Sequence, residues 1–147
     1  MVALVIIAIV GVAYFFTHSY QAPAYTSTTT SSTTTAQQGN YAVSIVNAPA
    51  SVVVGKPFTI SWMVDSPVQK TIVHTAIHYG PRSVPNPKAP SDYPLTPDIK
   101  SGVIPGTFSI QFTITPTGTY YYRAHAIIDG QNVWSDERMI TVTGQTS

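Results

Sequence analysis

The feature that most constrains the fold is a two-residue alternation of apolar and polar side chains that recurs from Tyr41 onwards. Between residues 58 and 64, Phe58, Ile60, Trp62 and Val64 occupy every second position. Successive side chains of a strand point to opposite faces of a sheet, so these four should share one buried face. Short segments of this kind, separated by Gly and Pro, are typical of antiparallel sandwiches. The pattern predicts an all-β sandwich over residues 41–143, with a tail at 144–147.

The alternation also predicts the individual strands. They are expected at 41–46 continuing into 51–54 after an interruption at Pro49, then at 58–64, 71–79, 107–114, 119–128 and 133–142. Asp129-Gly130 predicts a tight hairpin turn before the last of them. The proline-rich stretch from 80 to 106 is expected to be a long loop that either binds a partner or covers a sheet edge, with Arg82 and Tyr93 as candidate contact residues.

The N-terminal part of the chain has a different composition. Residues 2–16 are uninterrupted apolar sequence, and a helix over residues 1–20 would be about 30 Å long, enough to cross a hydrocarbon core. A cleaved signal peptide is the alternative, favoured by the small residues at 22–24 and opposed by the missing basic region. Residues 21–40 form a linker in which Thr26–Thr35 is all Ser and Thr, a composition that remains unfolded and often carries O-linked sugars. The sandwich is therefore expected outside the cytoplasm.

Composition excludes several classes of function. The chain has no cysteine, which excludes disulfides, thiolate zinc sites and iron-sulfur clusters. Charged residues make up 9% of the sequence and the net charge is +1, so we expect no nucleic-acid partner. No nucleophile-base pair or carboxylate pair can be identified. The chain is expected to be non-catalytic and to need no cofactor.

Residues 41–143 resemble a fibronectin type III or related immunoglobulin-like domain. Trp62 is similar to the buried tryptophan of that family, the stretch 75–79 resembles its alternating third strand, and Trp134-Ser135 is similar to an element near its last strand. The stretch from Ile114 to Tyr120 resembles the family's tyrosine corner. This resemblance implies that Tyr120 and Tyr122 face the core and that the Tyr120 hydroxyl bonds upstream backbone. Thr75, where the family has an aromatic residue, and the long following connection depart from the pattern. The family implies a scaffold with an interaction surface.

Four histidines offer the only candidate site chemistry. In this architecture the strands at 71–79 and 119–128 pair, so their outward residues should form one patch. The residues expected there are Ile72, His74, Ala76, His78, Tyr121, Arg123 and His125. Three imidazoles suit zinc or copper. However, His74 and His78 should be roughly 13 Å apart along a regular strand, too far to share one ion, and Arg123 should repel a cation. A partner-contacting face is therefore favoured over a metal site.

The favoured hypothesis is a non-catalytic, membrane-anchored, extracytoplasmic module that acts by protein contact in a cell-surface assembly. Its partners would be other membrane or surface proteins, and residues 2–20 would anchor the chain in the membrane. The stalked, cysteine-free composition is similar in style to that of archaeal surface proteins. Three alternatives remain open: a pilin-like subunit that contacts itself in an archaeal filament, a single-pass accessory subunit of a membrane enzyme complex, and a metal-binding surface domain using His125 with His74 or His78.

Overall fold

A computed structural model describes residues 40–145, and within them the predicted all-β fold is confirmed. The strands are β1 (Ala42–Asn47), β2 (Ser51–Val53), β3 (Phe58–Asp65), β4 (Lys70–Gly80), β5 (Ile99–Ile104), β6 (Gly106–Phe112), β7 (Gly118–Ile128), β8 (Gln131–Trp134) and β9 (Arg138–Thr143). A short 3-10 turn spans Pro90–Asp92. The predicted helix at 1–20 and nearly all of the linker at 21–40 lie outside the described residues. Between residues 40 and 145, none of the helical structure has the length and apolar character that a membrane crossing needs.

The described strands form two sheets, one of three strands in the order β1-β3-β6 and one of six in the order β2-β9-β7-β4-β5, with β8 added beside β7. The predicted inward face of β3 is confirmed, because Phe58, Ile60, Trp62 and Val64 are all buried. They join one apolar cluster with inward residues of the large sheet, including Ile77 and others of β4, β7 and β9. The core therefore lies between the two sheets.

The predicted first strand is in fact two strands in different sheets. β1 pairs with β3 in the small sheet, whereas β2 pairs in parallel with β9 in the large one. Pro49 lies between them, and a proline cannot donate a ladder hydrogen bond. The interruption predicted at this proline is thus the point where the chain changes sheet.

Two other predicted boundaries were wrong. The stretch from 80 to 106 is not one loop, because it contains β5, which forms an edge of the large sheet; the loop proper is 81–98. The predicted last strand is divided into β8 and β9, since the chain leaves the β7 edge after Trp134. The predicted hairpin turn is present, with positive φ angles of 50° at Asp129 and 76° at Gly130, as a type I′ turn requires.

A β-bulge interrupts β4 beside the large sheet's edge. Between the pairs formed by Ile72 and Thr75, Val73 and His74 oppose a single residue of β5. A bulge changes the alternation of faces and bends the strand. Consequently Ile72, which the sequence places outward, is 4% exposed and belongs to the core, while Val73 is 81% exposed.

Tyr120 lies where the corner motif predicts it. Its ring is buried in the core cluster, and its hydroxyl donates to the carbonyl oxygen of Pro116 at a distance of 3.4 Å. Tyr122 is also buried in the core. The side chains of Tyr120 and Tyr122 on β7 therefore face the core, as predicted from the sequence.

A buried three-histidine cluster as the candidate site

Three of the four histidines meet on the outer face of the large sheet. His125 on β7 pairs directly with Ala76 on β4, and His74 and His78 lie two residues before and after Ala76. Diagonal neighbours on adjacent strands lie within reach of long side chains. Since Ala76 carries only a methyl group, the space above it is open to the three imidazole rings.

The rings are close to one another. The ring centroids of His74 and His78 are 6.0 Å apart, and that of His125 is 5.1 Å from His74 and 5.2 Å from His78. One ring nitrogen from each residue lies within 4.8 Å of those from the other two. The expectation that His74 and His78 are too far apart to share an ion is therefore wrong. That expectation used the spacing of a regular strand, whereas here His74 belongs to the bulge and the side chains meet over the small Ala76.

The cluster is more buried than an external patch would be. His125 is 0% exposed and His78 is 2% exposed, while His74 is half-buried. Burial lowers the pKa of His78 to about 4, with the neighbouring histidines adding to this effect. Burial likewise lowers the pKa of His125 to about 4, although its bond to Asn132 opposes the change, and it lowers the pKa of His74. All three imidazoles are thus neutral at pH 7.

Each histidine of the cluster has one buried ring nitrogen with no hydrogen-bond partner among the described residues. These atoms are Nε2 of His74, Nε2 of His78 and Nδ1 of His125. A buried polar atom without a partner costs about 1–3 kcal/mol. Three such atoms in one cluster need a physical explanation.

The opposite nitrogens of two rings are held by oxygen atoms. His78 Nδ1 is 2.7 Å from the Thr96 hydroxyl, and His125 Nε2 is 2.8 Å from Asn132 Oδ1. Asn132 also donates from Nδ2 to the carbonyl oxygen of Lys88 at 3.2 Å. Both rings are therefore oriented by residues outside their own strands.

Trp134 covers the cluster from β8. It pairs with His125, and their ring centroids are 4.1 Å apart; its ring also meets His78 edge-on at 5.4 Å. Tyr93 of the 81–98 loop packs against Trp134 and is 3% exposed. An aromatic wall thus separates part of the cluster from solvent.

Arg123 is engaged in holding the 81–98 loop. Its guanidinium donates to the carbonyl oxygens of Ser135 at 2.6 Å and of Val84 and Pro85 at 3.3 and 3.1 Å. It also lies 3.9 Å from the carboxylate of Glu137. The positive charge expected to oppose a cation is therefore paired with Glu137 and carbonyl oxygens, which weakens that objection to a metal site.

Glu137 completes the attachment of the loop. Its carboxylate accepts hydrogen bonds from the Ser83 hydroxyl, from the Val84 amide at 2.8 Å and from the Tyr93 hydroxyl at 2.7 Å. Burial opposes ionisation, but these bonds together with the charge of Arg123 lower the pKa of Glu137. Burial and the contact with Glu137 raise the pKa of Tyr93.

The structure thus brings together five of the seven residues predicted for the interaction surface, namely His74, His78, Tyr93, Arg123 and His125. Tyr121 is half-buried on the same face, where it pairs with Met139 of β9 and Gly80 of β4. Arg82 is exposed at the start of the loop. The predicted patch is therefore a covered layer between the sheet and the loop.

Sequence reasoning missed Ala76 as a spacer, and it missed Thr96, Asn132 and Glu137 as polar partners. Of these residues, Asn132 could have been found from the sequence. A two-residue turn at Asp129-Gly130 sets the β7–β8 register, so counting back from it places Trp134 opposite His125 and Asn132 on the same face. Thr96 and Glu137 had no local signal, because they reach the site through the loop and through the chain after β8.

Neutral imidazole nitrogens are ligands for zinc and copper. In a tetrahedral site with metal–nitrogen distances of about 2.0–2.1 Å, the ligand atoms lie about 3.4 Å from one another. The three nitrogens, all within 4.8 Å, need only small side-chain rotations to reach that spacing. The second nitrogens of His78 and His125 are already hydrogen-bonded, as is usual for metal-binding histidines. The residues present therefore fit a three-histidine metal site.

Comparison with known proteins adds information on the fold alone. No family model and no curated protein matches the chain. The chain is similar to part of a beta-glucosidase from Listeria innocua, with 8% identity and a TM-score of 0.51, over 74% of this chain and 16% of the enzyme. A weaker similarity is to a superoxide reductase (neelaredoxin) from Ignicoccus hospitalis, with 15% identity and a TM-score of 0.44, over 69% of this chain and 80% of that chain. Another is to a chain of the human complex between zinc 2-glycoprotein and prolactin inducible protein, with 13% identity and a TM-score of 0.45, over 73% of this chain and 98% of that chain. Fold and site together define an all-β sandwich with a buried three-histidine cluster.

Proposed function

We propose that this protein binds one transition-metal ion, zinc or copper, through His74, His78 and His125. The observation that carries the proposal is the convergence of the three histidines, whose ligand nitrogens lie within 4.8 Å of one another. Each of them also has one buried ring nitrogen with no hydrogen-bond partner among the described residues. A metal ion would satisfy all three atoms at once. The proposed function is binding of the metal ion, without a catalytic reaction.

The choice of metal follows from the donor atoms. Imidazole nitrogen suits zinc and copper, whereas magnesium and calcium require oxygen ligands. The lowered pKa values of His78 and His125, each about 4, leave both rings neutral and able to bind a cation at pH 7. Copper(II) should bind more tightly than zinc, in accordance with the general order of affinities for nitrogen donors.

Metal binding can be measured on the full-length chain in detergent after removal of metal with EDTA. We expect one equivalent of copper or zinc to remain bound after dialysis. His125→Ala removes one of three ligands, so it should reduce affinity by more than the roughly 10- to 100-fold that is usual for losing an outer-shell partner. His18→Ala removes the remaining histidine of the chain and serves as the matched control. Equal metal content in the wild-type protein and in folded His125→Ala would contradict the proposal.

Trp134 provides a second signal for the same measurement. Copper(II) quenches nearby indole fluorescence, and the Trp134 ring centroid is 4.1 Å from that of His125. We expect stoichiometric quenching in the wild-type protein and much weaker quenching in Trp134→Phe, in which Trp62 remains. Quenching that is unchanged in Trp134→Phe would place the bound copper elsewhere.

We further propose that this sandwich is related to fibronectin type III and immunoglobulin-like domains and lies outside the cytoplasm. The corner tyrosine Tyr120 and the buried Trp62 support the first part. Anchoring through residues 2–20 and sugars on Thr26–Thr35 remain predictions about residues outside the described range, as do the filament and accessory-subunit alternatives. Protease protection of intact cells or vesicles, followed by release with detergent, tests the location.

A protein-contact function is the second candidate, and one surface favours it. β5 is an edge of the large sheet, and Ile99 and Val103 on it are 51% and 49% exposed, beside the exposed Val73 of the bulge. Exposed apolar side chains along an unpaired edge suit addition of a partner strand. A photo-crosslinker at Val103 should give one defined adduct in cells, and the same group at Val46, on the other sheet, should not. Identical adducts at both positions would contradict this candidate.

A further inference from the structure

The hydrogen-bond partners of the cluster determine which nitrogen of His125 is available. His125 is neutral, so it carries one ring proton, on either Nδ1 or Nε2. Its Nε2 lies 2.8 Å from Asn132, and its Nδ1 has no partner among the described residues. The position of the proton therefore depends on whether Asn132 presents its oxygen or its amino group.

A second contact orients the Asn132 amide. Its Nδ2 group donates to the backbone carbonyl oxygen of Lys88 at 3.2 Å. The reverse orientation would place two oxygen acceptors against each other, so Oδ1 must face His125. An oxygen acceptor requires a proton on His125 Nε2, and Nδ1 then carries the free lone pair.

Thr96 contacts the ring of His78 in the way that Asn132 contacts the ring of His125. Its hydroxyl lies 2.7 Å from His78 Nδ1 and can accept a hydrogen bond from it, which leaves the lone pair on Nε2. A hydroxyl can also donate, so Thr96 permits this tautomer, whereas Asn132 enforces the one at His125.

We propose that Asn132 is a positioning residue that holds His125 in its Nε2-protonated form, so that the metal is bound by Nδ1 of His125 and by Nε2 of His74 and His78. This inference rests on the proposed function, because it specifies the donor atoms of that site. Thr96 supports the same arrangement at His78. Thr96 and the Asn132 partner Lys88 both belong to the 81–98 loop, so the loop sets the orientation of two ligands.

The tautomer can be observed in the metal-free protein. Long-range ¹H–¹⁵N NMR correlations of the full-length, ¹⁵N-histidine-labelled chain distinguish protonated from unprotonated ring nitrogens, and His125→Gln assigns the resonances. We expect His125 to have a protonated Nε2 and an unprotonated Nδ1. A protonated Nδ1 would overturn the inference.

Variants of Asn132 connect the tautomer to affinity. Asn132→Leu removes the acceptor, and we expect a mixture of tautomers and a loss of zinc or copper affinity of about 10- to 100-fold, the usual effect of losing such a partner. Asn132→Gln keeps an acceptor oxygen for His125 and an amino group for the Lys88 carbonyl oxygen, so it should retain the tautomer and lose less affinity than Asn132→Leu. Gln131→Leu makes the same kind of change at an exposed neighbour on β8 and should have no effect.

The outcomes separate this inference from the proposed function. If the wild-type protein binds no metal, both fail. If it binds metal and folded Asn132→Leu binds equally well, the inference fails and the proposed function stands. An equal loss of affinity in Asn132→Leu and Asn132→Gln would also overturn the inference, because the acceptor oxygen would then have no role.

Discussion

Thr75 shows how a single residue connects the core to the site. It is fully buried, and its hydroxyl accepts from Trp62 Nε1 at 2.8 Å and donates to the carbonyl oxygen of His125 at 2.7 Å. Trp62 therefore lies in the core with its indole nitrogen satisfied. The Thr75 hydroxyl thus links the indole nitrogen of the core to the backbone of the strand that carries His125.

Removal of the Thr75 hydroxyl should destabilise the fold. Thr75→Val keeps the shape but leaves Trp62 Nε1 buried without an acceptor, at an expected cost of about 1–3 kcal/mol. Urea denaturation monitored by fluorescence measures the change in the free energy of unfolding. Thr75→Ser retains the hydroxyl and should be the less destabilised variant; the opposite order would show that the methyl group matters more than the two hydrogen bonds.

At the scale of elements, the 81–98 loop behaves as part of the sheet's outer layer. The sequence left open whether it binds a partner or covers an edge. The structure shows it attached to the face of the β4–β7 pair through Glu137, Arg123 and Thr96. Apart from the packing of Tyr93 against Trp134, these contacts are polar and lie outside the core, so their loss should loosen the loop without unfolding the core.

Glu137→Ala should release the loop. Hydrogen bonds to a charged group contribute about 1.5–3 kcal/mol, so we expect cleavage within 81–98 by a dilute protease to become at least about tenfold faster. Gel analysis and mass spectrometry locate the cut. Asp136→Ala changes a neighbouring exposed carboxylate and should leave the rate unchanged. Equal rates in both variants would mean that Glu137 does not hold the loop.

For the whole molecule, the buried histidines connect stability to pH. In the unfolded chain their pKa is near 6.5, whereas in the folded chain the pKa of His78 and of His125 is about 4. Between these values the unfolded state binds more protons, so stability rises with pH across this window. The stability is fully present above about pH 6.5 and is lost as the pH falls towards 4.

The metal-free protein should therefore lose stability on mild acidification. Each proton taken up on unfolding lowers the free energy of unfolding by about 1.4 kcal/mol per pH unit. Urea midpoints in EDTA between pH 7 and 4.5 measure the slope, and folded His125→Ala should show a shallower slope than wild type. A flat profile in the wild-type protein would show that the histidines are not buried as described.

The all-β class, the inward face of β3 and the hairpin turn at Asp129-Gly130 were predictable from the residue pattern alone. The corner at Tyr120 and the inward face of β7 were predictable from the resemblance to a family motif. These features depend on the side-chain period of a strand and on the backbone preferences of a few residues, which are local. The same local rule failed at Ile72, because a bulge is specified by pairing with β5 rather than by the alternation.

The burial of the three histidines in one cluster results from tertiary contacts. The sequence placed His74, His78 and His125 on one face but could not bring the first two together, because their approach depends on the bulge and on the space above Ala76. Their burial could not be predicted from the sequence either, because the histidines are covered by Trp134 and by a loop that is attached at Glu137, far away in the chain. The face of the sheet to which a side chain points is a local property of its strand. The distance between the histidine rings and their burial arise from contacts between segments far apart in sequence.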